Sequence, residues 1–172
     1  KTSRVGDHGQ LGAHLNGGVI WAYGNSTYAP YSEQFYVGGA NSIRAFNVRS
    51  IGPGAYFTDK AKISFMDQTG DIKLLANLEY RPRLFGNLYG AVFLDAGNIW
   101  ALKDDGVREN SQFKIKNVLK QTALGTGIGI RYDLDFLVLR HDWGIGLHVP
   151  YKKGLYNMSG VGTRKRIHFA MG

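Results

Sequence analysis

The sequence predicts an all-β protein whose antiparallel strands cross a membrane as part of a barrel. Three observations carry that prediction: a recurring hydropathy period of two, connections that alternate between long and tight, and aromatic residues near strand ends. The chain has 172 residues, no cysteine, 24 glycines and 4 prolines, with 10 Tyr, 9 Phe and 3 Trp. That profile belongs to no disordered, disulfide-stapled or long-helical protein. No run of about 18 apolar residues occurs, so helical membrane spans are excluded. A hydrophobic share of 44% results when every second side chain faces lipid and the rest line a polar interior.

Six stretches alternate over the roughly 9 to 11 residues that a tilted strand needs to span a bilayer. In the first, Leu11, Ala13, Leu15, Val19, Trp21 and Tyr23 share one face, and Gln10, Gly12, His14, Asn16 and Gly18 the other. In the second, Ile72, Leu74, Ala76, Leu78 and Tyr80 oppose Lys73, Leu75, Asn77, Glu79 and Arg81, a polar row broken only by Leu75. The third sets Leu88, Val92 and Leu94 against Tyr89, Phe93 and Asp95. The fourth sets Leu124, Ile128, Ile130 and Tyr132 against Gly125, Gly127, Gly129 and Arg131, where three inward glycines leave room for something bulky. The fifth opposes Leu137, Leu139, Trp143, Ile145, Leu147 and Val149 to Arg140, Asp142, Gly144, Gly146 and His148. The last is short: Ile167, Phe169 and Met171 alternate with Arg166, His168 and Ala170.

Connections at about 25–70, 98–121 and 150–165 are long and polar, whereas 82–87 and 133–135 are tight turns. Outer-membrane barrels show this asymmetry, with the short turns in the periplasm. A soluble antiparallel sandwich also alternates, with one face buried. Charge inside long strands, and the aromatic residues Trp21, Tyr23, Tyr80, Tyr89, Trp100 and Tyr132 read as an interfacial girdle, favour the membrane. Six strands do not close a barrel, because about eight is the smallest number that does. The chain is therefore expected to be a barrel fragment, or to pair its open edges elsewhere.

Residues 1–10 are polar and lack the apolar core of a signal peptide, which suggests a start internal to a longer protein. The net charge of +8 is spread over loops and alternate strand positions. It fits outer-membrane lipid headgroups as well as a bland basic surface, and it argues against a nucleic-acid partner.

Residues 38–46 read GGANSIRAF. They resemble the long-loop motif of the BamA and TamA superfamily of outer-membrane assembly barrels (the bacterial surface antigen family), written as Val or Ile, Arg, Gly, then Phe or Tyr. Ala45 stands where glycine is usual. The continuation Arg49-Ser50-Ile51-Gly52-Pro53-Gly54, the strand Ala76-Asn77-Leu78-Glu79-Tyr80 and the segment Phe93 to Trp100 with its Asp-x-Gly are also similar to the family. Residues 123–142 look like its penultimate hairpin as found in Bacteroidetes-type members. The likeness spans nearly the whole chain, and the ordered series is more specific than any single motif.

What the resemblance implies is a transmembrane antiparallel β-barrel of about 16 strands, with residues 1–172 as the C-terminal part of one barrel domain. Periplasmic POTRA domains would lie outside this chain, and the loop at about 25–70 would fold inward. It implies a loop lock at Ile43, Arg44, Ala45 and Phe46, with the arginine held by acidic groups of the inner wall. Glu79 and Asp95 fall on the faces already read as inward. A bidentate contact suits arginine far better than lysine. Phe46 would pack beside Arg44, and Gly38, Gly39, Gly52 and Gly54 would act as hinges. The strand with Ile167, Phe169 and Met171 would form a lateral gate at a seam between the first and last strands.

The five histidines show no metal-ligand spacing, Gly125-Thr126-Gly127-Ile128-Gly129 continues a strand rather than cradling phosphate, and Asp133 and Asp135 read as turn formers. No enzyme and no cofactor are expected. Thr163-Arg164-Lys165-Arg166, with Lys152 and Lys153, reads as a solvated loop or a grip on lipid headgroups. The function that follows is assistance to the folding and insertion of β-barrel proteins in the bacterial outer membrane. Unfolded barrel clients and membrane lipids would be its partners, and accessory lipoproteins would meet the periplasmic domains. Two alternatives stay open: a secretion pore of the two-partner type on the same scaffold, and a soluble β-sandwich binding module.

Overall fold

The computed structural model describes residues 2–5, 9–24, 29–57, 68–154, 157 and 166–171; for Val5 and 166–171 it describes the backbone alone. Among the described residues, seven strands form one sheet in sequence order: β1 (Thr2–Val5), β2 (Gly9–Val19), β3 (Ile72–Phe85), β4 (Leu88–Trp100), β5 (Ala123–Asp133), β6 (Val138–His148) and β7 (Arg166–Met171). Every neighbouring pair is antiparallel. All six expected strands are present. The seventh, β1, falls in the segment read only as a polar start, because four residues are too few for alternation to register.

Two boundaries move. The alternation ran on to Tyr23, but β2 stops at Val19, since Ile20 bonds to the carbonyl of Asp71 and the chain leaves the ladder there. In the other direction, β3 continues through Pro82 to Phe85. The expected turn at 82–87 thus shrinks to Gly86 and Asn87, with a register irregularity between Arg83 and Phe85. A strand tolerates proline at such an irregular end, where no ladder hydrogen bond is required of it.

The faces follow the period-two reading. Leu15, Val19, Leu78, Val92, Leu94, Ile128 and Tyr132 are exposed outward, while Phe93, Asp95, Arg131 and Asp142 are buried inward. A continuous exposed apolar surface on one side of a sheet is what lipid contact requires. Near the ends of the long connections the outward rows become buried, at Ile72, Asn98 and Val149 and above all at Trp100. Trp100 continues the outward row yet is fully buried, donates its indole N–H to Gln121 at 2.8 Å and meets Phe113 edge-on. It therefore belongs to no interfacial girdle: the connection after β4 folds over it.

The apolar core lies where the long β2–β3 connection packs on the inward face. Val37, Ile43, Ala45, Phe46 and Ile51 from the connection bury against Leu75, Ile99, Ala123 and Val149. Leu75, the one apolar break in the polar row of β3, thus has a reason: the loop needs an oily contact there. The long connections leave from one end of the sheet and the short turns from the other, as the antiparallel order demands.

Candidate functional site

The inward face of β3 to β6 presents three carboxylates. Period-two geometry places Glu79 on β3, Asp95 on β4 and Asp142 on β6 on the same side. Arg44 of the loop enters among them. Its Nε and Nη2 donate to the two carboxylate oxygens of Asp95 at 2.9 and 2.8 Å, a bidentate fork, and its own backbone N–H donates to Asp95 at 2.9 Å. Nη1 donates to Glu79 and stands 3.8 Å from Asp142. The guanidinium lies over the ring of Phe93, 3.6 Å from its centroid. Arginine suits this place because its planar donors serve two carboxylates while its face stacks on an aromatic.

A second tier surrounds the first. Arg131 reaches Glu79 at 3.1 Å and Asp142 at 2.6 Å, Arg81 binds Glu79 at 2.6 Å, and Arg140 reaches Asp142 at 3.4 Å. Asn77 donates to Asp95 at 2.8 Å and to the carbonyl of Ser42 at 2.7 Å, tying the loop backbone to the wall. Four arginines thus meet three carboxylates, and the paired groups are nearly all buried. Buried charges persist only when paired, and each carboxylate here faces at least one guanidinium.

The loop tip rests on a floor of glycines. A Cβ added to Gly125 would come within 2.5 Å of the Cβ of Ala45, and one added to Gly144 would come within 2.8 Å of the Arg44 carbonyl. The bulky occupant that the inward glycines leave room for is the loop itself. Gly127 and Gly129 give space instead to Phe93 and to the Asp142 and Arg131 side chains.

Of the residues that the sequence singles out, Arg44, Glu79 and Asp95 are brought together, and Ile43, Ala45 and Phe46 are buried beside them. Ala45 is not among the residues with positive φ, so alanine fits where the family usually has glycine. The aromatic partner of Arg44 is Phe93, not Phe46, which packs in the apolar cluster. Gly38, Gly39, Gly52 and Gly54 have φ of +100, +93, +80 and +55°. At Gly38 a side chain would also run into the carbonyl of Asn47, and at Gly52 into Asn98 and Ile99. Ile167, Phe169 and Met171 lie in β7 and pair with Trp143, His141 and Leu139; their side chains are outside the described residues. So is most of the basic run 163–166, whereas Lys152 and Lys153 are exposed.

Sequence reasoning missed Asp142, Phe93, Asn77 and Arg131 as members of the cluster. All four sit in the inward rows, so period two contained the signal, but it does not say which residues of a row face the loop tip. It also missed Arg49, which has φ +55° and stacks between Tyr31 and Tyr36, 5.2 and 4.6 Å from their ring centroids.

Residues 5–172 match the family model of the Omp85 superfamily domain. The chain belongs to the Omp85 superfamily. Membership places this Omp85 chain in the bacterial outer membrane and accounts for the ordered series of motifs. A relative, the outer membrane protein assembly factor BamA of Neisseria meningitidis serogroup B, is 28% identical over 108 residues, covering 59% of this chain and 13% of the relative. The structure of BamA from Haemophilus ducreyi lacking POTRA domains 1–3 superposes with a TM-score of 0.63 at 17% identity, over 95% of this chain and 31% of that one. CdiB from Acinetobacter baumannii gives 0.55 at 17% identity, over 99% and 25%. The Omp85 chain thus spans less than a third of each of these proteins and shares the barrel fold of the two structures. The soluble sandwich reading is set aside.

Proposed function

We propose that this Omp85 chain is part of an outer-membrane assembly factor that assists the folding and insertion of β-barrel proteins. On this reading the fragment is the C-terminal part of a barrel domain preceded by periplasmic POTRA domains. Its clients are unfolded barrel proteins, and accessory lipoproteins meet the periplasmic part. Outer-membrane lipids are its medium. It acts by strand pairing, without covalent chemistry or a cofactor.

The observation that carries this reading is a fixed loop beside a terminal strand of the sheet. The loop is clamped through Arg44 to β3, β4 and β6. On the neighbouring side, β7 pairs with β6 from Leu139 to Gly144 and is the last strand in the order of the described sheet. An edge strand with unmatched backbone groups is a template for an incoming strand. The cluster would hold wall and loop in shape while that edge opens.

The test is charge exchange in the full-length protein: Arg44→Glu, Asp95→Arg and the double variant, scored for insertion of a model barrel into liposomes. Each single change should cripple insertion, and the double should restore part of it. Likeness to CdiB favours a second reading, a secretion pore of the two-partner type. If the wild type inserts nothing but conducts ions and passes one cognate substrate, that reading replaces the first.

A further inference from the structure

The connection between β4 and β5 contains a surface that the cluster does not use. After an acidic stretch with Asp104, Asp105 and Glu109, the chain changes character: residues 110–124 include three lysines and no acid. A 3₁₀ turn, Ile115–Asn117, leads directly into the short helix α1, Val118–Gln121. Ile115 and Leu119, four residues apart, are 80% and 89% exposed. Lys114, Lys116 and Lys120 beside them are exposed as well.

The position of this segment matters as much as its composition. Val92, Leu94, Asn98 and Trp100 form one outward row of β4, paired with the outward residues Tyr80, Leu78, Leu74 and Ile72 of β3. The lower part of that row is exposed, but Asn98 and Trp100 are fully buried. This same connection covers Trp100, which Phe113 meets edge-on, and Gln121 takes hydrogen bonds from both residues; Asn98 also donates to the Gly54 carbonyl of the β2–β3 connection at 2.8 Å. The segment therefore caps the rim of the sheet at the end of β4, above the lipid-facing part of that row. It lies at the end of the long connections, which outer-membrane barrels direct outward.

We infer that residues 114–120 form a lipid-anchoring surface, with Ile115 and Leu119 entering the acyl boundary and Lys114, Lys116 and Lys120 binding phosphate groups of anionic outer-leaflet lipid. Nearness to the apolar wall selects a membrane over a protein partner, and the three exposed lysines select an anionic headgroup. The anchor rests on the outer-membrane placement of the chain and not on the assembly reading.

The test uses the full-length protein with a single cysteine at 107, 115 or 119 carrying an environment-sensitive fluorophore; this chain has no competing cysteine. The protein is reconstituted in phosphatidylcholine vesicles with or without lipid A, and nitroxide-labelled acyl chains and aqueous iodide serve as quenchers. Labels at 115 and 119 should be quenched from the acyl side, more strongly with lipid A, while 107, beside the acidic stretch, stays accessible to iodide. Replacing the lysines with glutamine should lower the inserted-to-exposed ratio about fivefold per residue in lipid A vesicles and leave it unchanged in phosphatidylcholine. All substituted side chains are exposed, so the barrel folds in each variant, and no client insertion is needed for the readout. Iodide access at 119 equal to that at 107, or acyl quenching at 107 equal to that at 119, overturns the anchor. Indifference to lipid A or to the lysine substitutions overturns the phosphate contact.

Discussion

The side chain of Ala45 stands on the bare backbone of Gly125, so close that a Cβ there would fall 2.5 Å from its own. The loop tip and β5 are thus fitted to one another by the absence of a methyl group. Gly125→Ala should loosen the loop, with a cost of about 1–3 kcal/mol for overpacking. Adding Ala45→Gly, which restores the commoner family residue, should recover most of it. The coupling is read from a double-mutant cycle on hydrogen-exchange protection of residues 43–46. Additive effects would show that the contact is not the cause.

Asp95 accepts hydrogen bonds from the Arg44 backbone, the Arg44 guanidinium and Asn77. Asn in its place offers a single acceptor oxygen and turns an amide NH₂ toward a donor. Asp95→Asn is expected to cost about 3 kcal/mol, at the low end for breaking a buried charge pair. The sensitive readout is the exchange rate of the Arg44 amide, which should rise by more than that of amides within β3.

Leu75 interrupts the polar row of β3 and is buried against the loop, whereas Lys73 in the same row lies outside that cluster. Leu75→Ala should destabilise the loop by about 2–5 kcal/mol. Lys73→Ala, at a half-buried position outside that cluster, should cost the loop less than about 1 kcal/mol. Protection of residues 37–51 distinguishes the two.

In the β4–β5 connection, burial pushes the Asp105 carboxyl up, but hydrogen bonds from the Arg108 backbone and side chain and from the Val107 amide outweigh it and hold the group below its ordinary value. A lowered carboxylate contributes stability that is fully present above the usual value of about 3.9 and is lost as pH falls through the folded one. The turn should therefore stay closed at neutral pH and open only below about pH 3.9. The amide shifts of Val107 and Arg108, whose N–H groups Asp105 accepts at 3.0 and 2.8 Å, should follow that titration. In Asp105→Asn the transition should vanish.

Much of the architecture was legible because a strand's side chains alternate with a fixed period, so a row of Val92 and Leu94 opposite Phe93 and Asp95 declares both faces before any folding is known. The motif around Arg44 and the inward positions of Glu79 and Asp95 were legible for the same reason. Period two is silent at strand ends and on four-residue strands. For this reason alternation does not mark β1, gives no sign that β3 runs on past Pro82 and sets Trp100 among the interfacial aromatics.

By itself the sequence determined the all-β class, the membrane-facing rows, the long and short connections and the loop arginine with two of its acidic partners. These are properties of local spacing and side-chain type. Only the tertiary structure decided that Asp142 and Phe93 complete the arginine's surroundings, that Gly125 and Gly144 form the floor under the loop, and that the β4–β5 connection covers Trp100. Each depends on which residues of distant rows stand at the same height along the strands, and strand register and loop docking set that height.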